Sequence, residues 1–253
     1  MKYLFIFLTI VSCSAKSQTK NIPDSISFKN KQPALQNKIT YKNFVIPITL
    51  VGYGFAALGN NKLNEINLST KEEIKEDNPN FVTHIDSYSQ FFPAATVFCL
   101  HAFGKKGVHN TKDAAILYAM SMGISTAVIY PLKKVTHEER PDNSNFNSFP
   151  SGHTSTAFVS AEFLRREFGQ KYPWLAVAGY AVATGTGMLR VYNNKHWVSD
   201  VVAGAGIGIA STTIAYWLYS KFNFKPNSGL TNIVAVPAIA DKTYGFTLIK
   251  TLK

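Results

Sequence analysis

Arg190-Val191-Tyr192-Asn193-Asn194-Lys195-His196-Trp197-Val198-Ser199-Asp200 is the stretch on which the reading of this chain turns. A cation closes one apolar run, an Asn-Asn pair marks a turn, and a histidine and an aspartate four apart open the next run. Four apart on a helix is one face, so the Asp200 carboxylate lies beside the His196 imidazole. A carboxylate bonded to one ring nitrogen fixes the tautomer and leaves the other nitrogen as a nucleophile. Alone, the pair also fits a locally satisfied helix start, or zinc ligation. Its surroundings weigh against a metal. Upstream stand Pro150-Ser151-Gly152-His153 and, before that, Lys133 and Arg140-Pro141 separated by six residues. The charges gathered around His196 are therefore mostly cations, which repel a metal ion and attract a phosphate.

Each of these groups has a place in phosphate chemistry. Lys133, Arg140 and Arg190 can bind non-bridging oxygens and offset charge that develops in the transition state. The amides near Ser151 and Gly152 sit where a helix begins, a natural anion site, and glycine lets backbone come close. A protonated His153 can donate to a leaving alkoxide and then activate water. In isolation Pro-Ser-Gly-His is an ordinary turn with a helix cap, and each cation is an ordinary solvated helix end favoured by the helix dipole. Their order within the 68 positions from Lys133 to Asp200 reverses that reading. Lys134 reads as a decoy cation, His137, Glu138 and Glu139 as a polar rim, and Trp197 as a core anchor for the helix start; Lys195 could touch substrate.

In this order the three motifs resemble those of the type 2 phosphatidic acid phosphatase (PAP2) superfamily, which also holds bacterial class A acid phosphatases and vanadium haloperoxidases. The resemblance spans roughly residues 85 to 220. It implies an all-α fold, a six-helix bundle, with His196 as the nucleophile that forms a phosphohistidine. His153 and Asp200 complete the catalytic set, and Lys133, Arg140, Ser151, Gly152 and Arg190 bind the phosphate, with neither metal nor cofactor. Two features depart from the family pattern: Leu189 stands where a serine usually precedes the arginine, and the stretch from Asp142 to Phe149 is short, which implies a tight pocket rim.

Composition bounds the partners. At 253 residues the chain can bury one good core. Its formal net charge of +11 suits phosphate-bearing molecules and anionic membrane surfaces. No basic stripe interleaved with aromatics is present, so no nucleic acid partner is expected. Lys2, the apolar run Tyr3 to Val11 and the small residues Ser12 to Ala15 have the pattern of an export signal. Ile10-Val11-Ser12-Cys13 also resembles a lipobox, leaving lipidation at Cys13 or cleavage after Ala15 open. Cys99 is then the one remaining cysteine, expected to be buried and inert, with no disulfide framework.

The expected organisation is a leader at 1–15, a polar arm at 16–43, a helical domain at 44–222 and a tail at 223–253. Six apolar helical stretches make the domain: 44–58, 83–103, 111–133, 154–168, 173–189 and 199–222. A charged section from Asn61 to Asn80 reads as a short exposed helix, and 232–236 with 244–249 as a terminal β-hairpin. Small residues crowd the last helix, which suits close packing in lipid or in a soluble bundle. The basic loops at 104–112 and 165–171 place the motif ends outside by the positive-inside rule. Counting six spans from an exported start places them inside. A periplasmic bundle on or near a membrane removes the conflict, and the charges Glu162, Arg165, Arg166 and Glu167 favour it over six spans.

The function expected from the sequence is hydrolysis of phosphate monoesters, lipid phosphates or lipid pyrophosphates at the periplasmic face. A vanadium-dependent haloperoxidase and a non-catalytic envelope protein that binds phosphate or lipid headgroups are the rival readings.

Overall fold

The computed structural model describes residues 39–222 and two further segments, 233–240 and 243–250. The expected leader, the arm up to residue 38 and the first part of the tail, 223–232, lie outside the described residues. Eight helices form there: α1 Lys42–Gly59, α2 Asn61–Asp77, α3 Ile85–Ser89, α4 Phe92–Ala102, α5 Thr111–Thr136, α6 Gly152–Phe168, α7 Pro173–Tyr192 and α8 Val198–Lys221. Five of the six apolar stretches become single helices. The sixth, 83–103, divides into α3 and α4 where Pro93 enters the first turn of α4, since proline cannot donate to a preceding turn and is preorganised to start a new one. The charged section forms α2, capped by Asn60, whose side chain accepts from the amides of Lys62 and Leu63 at 3.0 and 3.3 Å. Two strands, β1 Ile233–Ala240 and β2 Thr243–Lys250, pair antiparallel with Ile233 opposite Lys250.

Helix α6 is the centre of the bundle, packed against α4, α5, α7 and α8, while α1 lies along α8. Helices α6 and α8 run side by side in the same direction. A methyl group on Gly204 would stand 2.5 Å from the Ser151 carbonyl oxygen, and one on Gly208 2.5 Å from that of Ser155. The small face of α8 therefore brings its backbone against the start of α6. Farther from that start, Val97, Leu117, Phe163, Leu164 and Phe168 form the apolar core. Burial of each such side chain contributes about 1.5–3 kcal/mol.

The charges of α6 are satisfied inside the bundle. Glu162 accepts from Arg165 Nε and Nη2 at 2.6 Å each, from Arg166 Nε at 2.7 Å and from the Tyr180 hydroxyl at 2.5 Å. Glu167 accepts from the His109 amide at 2.9 Å and the Tyr216 hydroxyl at 2.6 Å, and shares a 2.8 Å bond with His109 Nδ1. The sequence argument that these charges disfavour a membrane span thus loses its force, because paired and hydrogen-bonded carboxylates do not face lipid. By length and composition α1, α5 and α8 can each cross a membrane. Large apolar side chains stand exposed along α1 (Val45, Ile46, Ile48) and α5 (Val128, Tyr130, Val135), the surface that a membrane-associated protein turns to lipid. Cys99, expected to be buried, is exposed on α4.

Candidate active site

The connectivity of α5 to α8 brings all three motifs to one end of the bundle. There α5 and α7 finish and α6 and α8 begin. Lys133 lies in the last turn of α5, Arg190 in the last turn of α7, His153 in the first turn of α6, and Asp200 in the first turn of α8. Helix C-termini favour cations and N-termini favour anions, so Lys133, Arg190 and Asp200 stand where the helix dipole supports their charges.

Asp200 ties the site together. Its Oδ2 accepts from the Ser148 hydroxyl at 2.5 Å and the Trp197 amide at 2.9 Å, and lies 3.3 Å from His196 Nδ1. Its main-chain carbonyl accepts from the Ser151 amide at 3.0 Å, which joins the second motif to the third. With Nδ1 held by the carboxylate, His196 Nε2 is the nitrogen left for chemistry. Burial is the largest influence on this imidazole and outweighs the carboxylate beside it, so its pKa is pushed down to about 4. His196 is neutral at ordinary pH, which is the form a nucleophile requires.

The cations surround this imidazole. Lys133 Nζ donates to the carbonyls of Asn147 and Ser148 at 2.7 and 3.1 Å, which folds the inter-motif loop against the end of α5. Arg190 Nη1 donates to Asp86 Oδ2 at 2.6 Å. Burial raises the Asp86 pKa, but the bond and charge of Arg190 outweigh it and leave the carboxyl below its ordinary value. The guanidinium Nε groups of Arg140 and Arg190 are both buried and have no acceptor among the described residues. The Arg140 pKa is held below the ordinary arginine value, first by burial and next by the charge of Arg190. Two buried donors and mutually repelling cations form a cradle that an anion with several oxygens satisfies. His153 feels the charges of Arg190, Asp86, Arg140 and Lys133, so it belongs to the same cluster.

The structure refines the expected anion site at the start of α6. The Ser151 hydroxyl is engaged in capping, accepting from the Thr154 hydroxyl at 2.9 Å and more weakly from the Thr154 amide at 3.5 Å. Its amide is engaged with Asp200, so the amides of Gly152 and His153 remain as the first-turn donors. Lys195 pairs with Asp142 at 2.5 Å. The Trp197 indole donates to the Glu139 carbonyl at 2.8 Å, which anchors it to the loop after α5. Lys134 rests over the Tyr130 ring at 4.8 Å. Among the described residues no three His, Cys, Asp or Glu side chains form a group that could hold a metal.

Two members of the cluster escape sequence reasoning. Ser148 carries no motif signal of its own, although it stands just before Phe149-Pro150. Asp86 lies 104 residues from the arginine it holds, with no local pattern that points to it.

Comparison with known proteins places this arrangement. Residues 114–224 match the model of the PAP2 superfamily, the family that the three motifs resemble. The lipid A 1-phosphatase of Porphyromonas gingivalis is 39% identical over 150 residues, 59% of this chain and 34% of that protein. The bacitracin transport permease protein BcrC of Bacillus licheniformis is 37% identical over 78 residues, 31% of this chain and 36% of that protein. The chain thus spans about a third of the length of these curated relatives. The crystal structure of a transmembrane PAP2 type phosphatidylglycerolphosphate phosphatase from Bacillus subtilis is similar in fold, with a TM-score of 0.53 and 21% identity over 75% of this chain and 99% of that one.

Proposed function

We propose that the protein is a metal-independent phosphatase of lipid phosphates that works through a phosphohistidine on His196. The observation that carries this reading is the pair of buried guanidinium Nε groups of Arg140 and Arg190, without an acceptor among the described residues, beside a buried, neutral imidazole oriented by Asp200. Lys133, Arg140, Arg190 and the amides of Gly152 and His153 hold the non-bridging oxygens. His196 Nε2 forms a bond to phosphorus while the phosphorus–oxygen bond to the lipid breaks, and His153 gives its proton to the leaving alkoxide. His153 then accepts a proton from water as that water attacks the phosphohistidine, which releases inorganic phosphate and restores both histidines. The cations supply the charge neutralisation that a metal pair supplies elsewhere.

A lipid substrate is favoured over a small soluble ester by the exposed apolar faces of α1 and α5, which lead to the site end, and by the names of the relatives. The end of the bundle opposite the site carries Lys105, Lys106, Arg165, Arg166, Lys171 and Lys221, so the positive-inside rule turns the site toward the periplasm.

Phosphate release from a phosphatidate and from a small soluble ester, each with and without detergent, tests the reading. The expected result is preferential release from the detergent-dispersed lipid, unchanged by chelators and inhibited by vanadate, which adopts the five-coordinate geometry of the transferring group. Loss of activity on chelation with recovery on adding a divalent ion overturns the metal-free mechanism.

A further inference from the structure

His196 and Asp200 stand at the start of α8, and that start is not capped by its own sequence. Trp197 occupies the N-cap position and makes no side-chain cap, since an indole has no oxygen to offer the first-turn amides. Asp200 does not cap them either, because its Oδ2 is turned to the Trp197 amide, the Ser148 hydroxyl and the His196 ring. The first-turn amide of Ser199 is therefore left for an acceptor from elsewhere. Asn67 Oδ1 on α2, 132 residues away in sequence, accepts from it at 3.1 Å.

Asn67 is fixed in this pose. Its Nδ2 donates to the Ser199 hydroxyl at 2.9 Å and to Asn64 Oδ1 at 3.0 Å, so both ends of the carboxamide are engaged and its rotation is set. Asn67 is also the one buried residue of α2, whose other side chains are exposed or half-buried. Its chain neighbours Ile66 and Leu68 are both exposed. A helix of a bundle ordinarily docks through an apolar stripe. Helix α2 instead puts an asparagine inside, against the turn that carries His196 and Asp200.

Ser199 is confined from a second side as well. A methyl group on Gly54 of α1 would stand 3.0 Å from the Ser199 carbonyl oxygen. The amide and hydroxyl of Ser199 are thus held by α2, while its carbonyl lies against α1. A buried amide deprived of its acceptor is unfavourable until the turn shifts or admits water, and either change displaces the residues on both sides of Ser199. Those residues include His196 and Asp200. Neither α1 nor α2 lies within residues 114–224, the part that matches the family model.

We infer that Asn67 is a positioning residue of the reaction, which caps α8 from α2 and thereby sets where the His196 ring stands against the phosphate cradle. It acts through Ser199, to which its bonds run, and not on His196 directly. The inference rests on the phosphatase reading above and adds to it a residue outside the three motifs.

Kinetics of the full chain in detergent, with a phosphatidate as substrate, test this. Asn67→Ala is expected to lower kcat roughly ten- to a hundredfold, the effect of a slightly misplaced nucleophile. Its KM should stay within about twofold, because Lys133, Arg140 and Arg190 stand on α5, the loop after it and α7. Asn67→Asp keeps an oxygen for the Ser199 amide, and the Ser199 hydroxyl and Asn64 amide can turn to donate to it, so kcat should recover to within about threefold of wild type. Asn60→Ala removes the cap of α2 itself and weakens the same helix without touching Ser199, so its kcat should change less than about twofold. If Asn67→Ala does not fold, Asn67→Ser, whose shorter hydroxyl keeps the pocket polar, takes its place in the comparison. A kcat loss in Asn60→Ala as large as that in Asn67→Ala, or no recovery in Asn67→Asp, reduces Asn67 to a merely structural residue and overturns the inference. Nitrogen resonances of His196 in isotope-labelled protein separate this inference from the reading it rests on. A wild type without turnover sinks the phosphatase; a His196 Nδ1 resonance that moves in Asn67→Ala and returns in Asn67→Asp still upholds the positioning role, and one that stays in place overturns it.

Discussion

His196 combines two properties that usually oppose one another: it sits beside a carboxylate, yet its pKa is pushed down to about 4 because burial outweighs that neighbour. Relative to the ordinary value of 6.5, the folded state resists protonation of this ring. The stability this confers is present above pH 6.5 and is lost as pH falls from there through about 4. Thermal melting of wild type should accordingly decline across that window, and the decline should be shallower in His196→Gln; parallel curves would show that another group governs acid sensitivity. For catalysis, His196→Ala should lower kcat by about a thousandfold or more while inorganic phosphate still binds, as measured by protection of the fold against heat. Asp86 makes a different case. Asp86→Ala leaves the Arg190 charge buried and unpaired and should destabilise the protein by about 3–5 kcal/mol in denaturant titrations. Asp86→Asn keeps a hydrogen-bonding group of the same shape, and should lose less stability while raising KM for the phosphate ester.

At the scale of the element, the site depends on how closely two helix ends approach. Gly204→Ala puts a methyl group 2.5 Å from the Ser151 carbonyl oxygen, which is backbone and cannot swing aside. A loss of about 1–3 kcal/mol is expected, together with a fall in kcat as the first turn of α6 is displaced. Gly123→Ala on α5, where a methyl group meets nothing within 4 Å, is the control and should be neutral or stabilising. An equal response at both positions, read from melting and turnover, would contradict the close-approach account. These elements also show what sequence could and could not reveal. Motif spacing exposes the cluster of Lys133, Arg140, His153, Arg190, His196 and Asp200 because all but Arg140, which stands in the loop after α5, sit at or next to a helix end that punctuation marks. Ser148 and Asp86 are hidden because their partners are fixed by tertiary packing, 52 and 104 residues away in sequence. The split of 83–103 follows from Pro93 and agrees with the change from a polar first half, with Asp86, Ser87, Ser89 and Gln90, to an apolar second half. The charges of α6 mislead in the opposite direction, since the sequence shows Glu162, Arg165, Arg166 and Glu167 but not their pairing with one another and with Tyr180, Tyr216 and His109.

At the scale of the whole molecule, the bundle has two unlike ends, one gathering the motifs and the other the basic loops. Single-cysteine reporters placed at Lys106 and Asn145, in a Cys13→Ser/Cys99→Ser background, should respond differently to an impermeant thiol reagent added to intact cells. Labelling at 145 and protection at 106 is the expected pattern for a site that faces outward. The reverse pattern would turn the site inward, and labelling at both positions would favour a bundle that lies on the membrane without crossing it.

Asp200 has a consequence for the order in which the molecule becomes active. One carboxylate oxygen holds the loop before α6, the turn before α8 and the imidazole between them, while the same residue's carbonyl holds the start of α6. A chain in which α8 has not yet docked therefore lacks more than its nucleophile: the loop carrying Ser148 and the turn carrying His153 have lost their shared anchor. Partial competence is excluded by construction, and recovery of turnover after refolding should track the docking of α8 with no earlier, weaker phase.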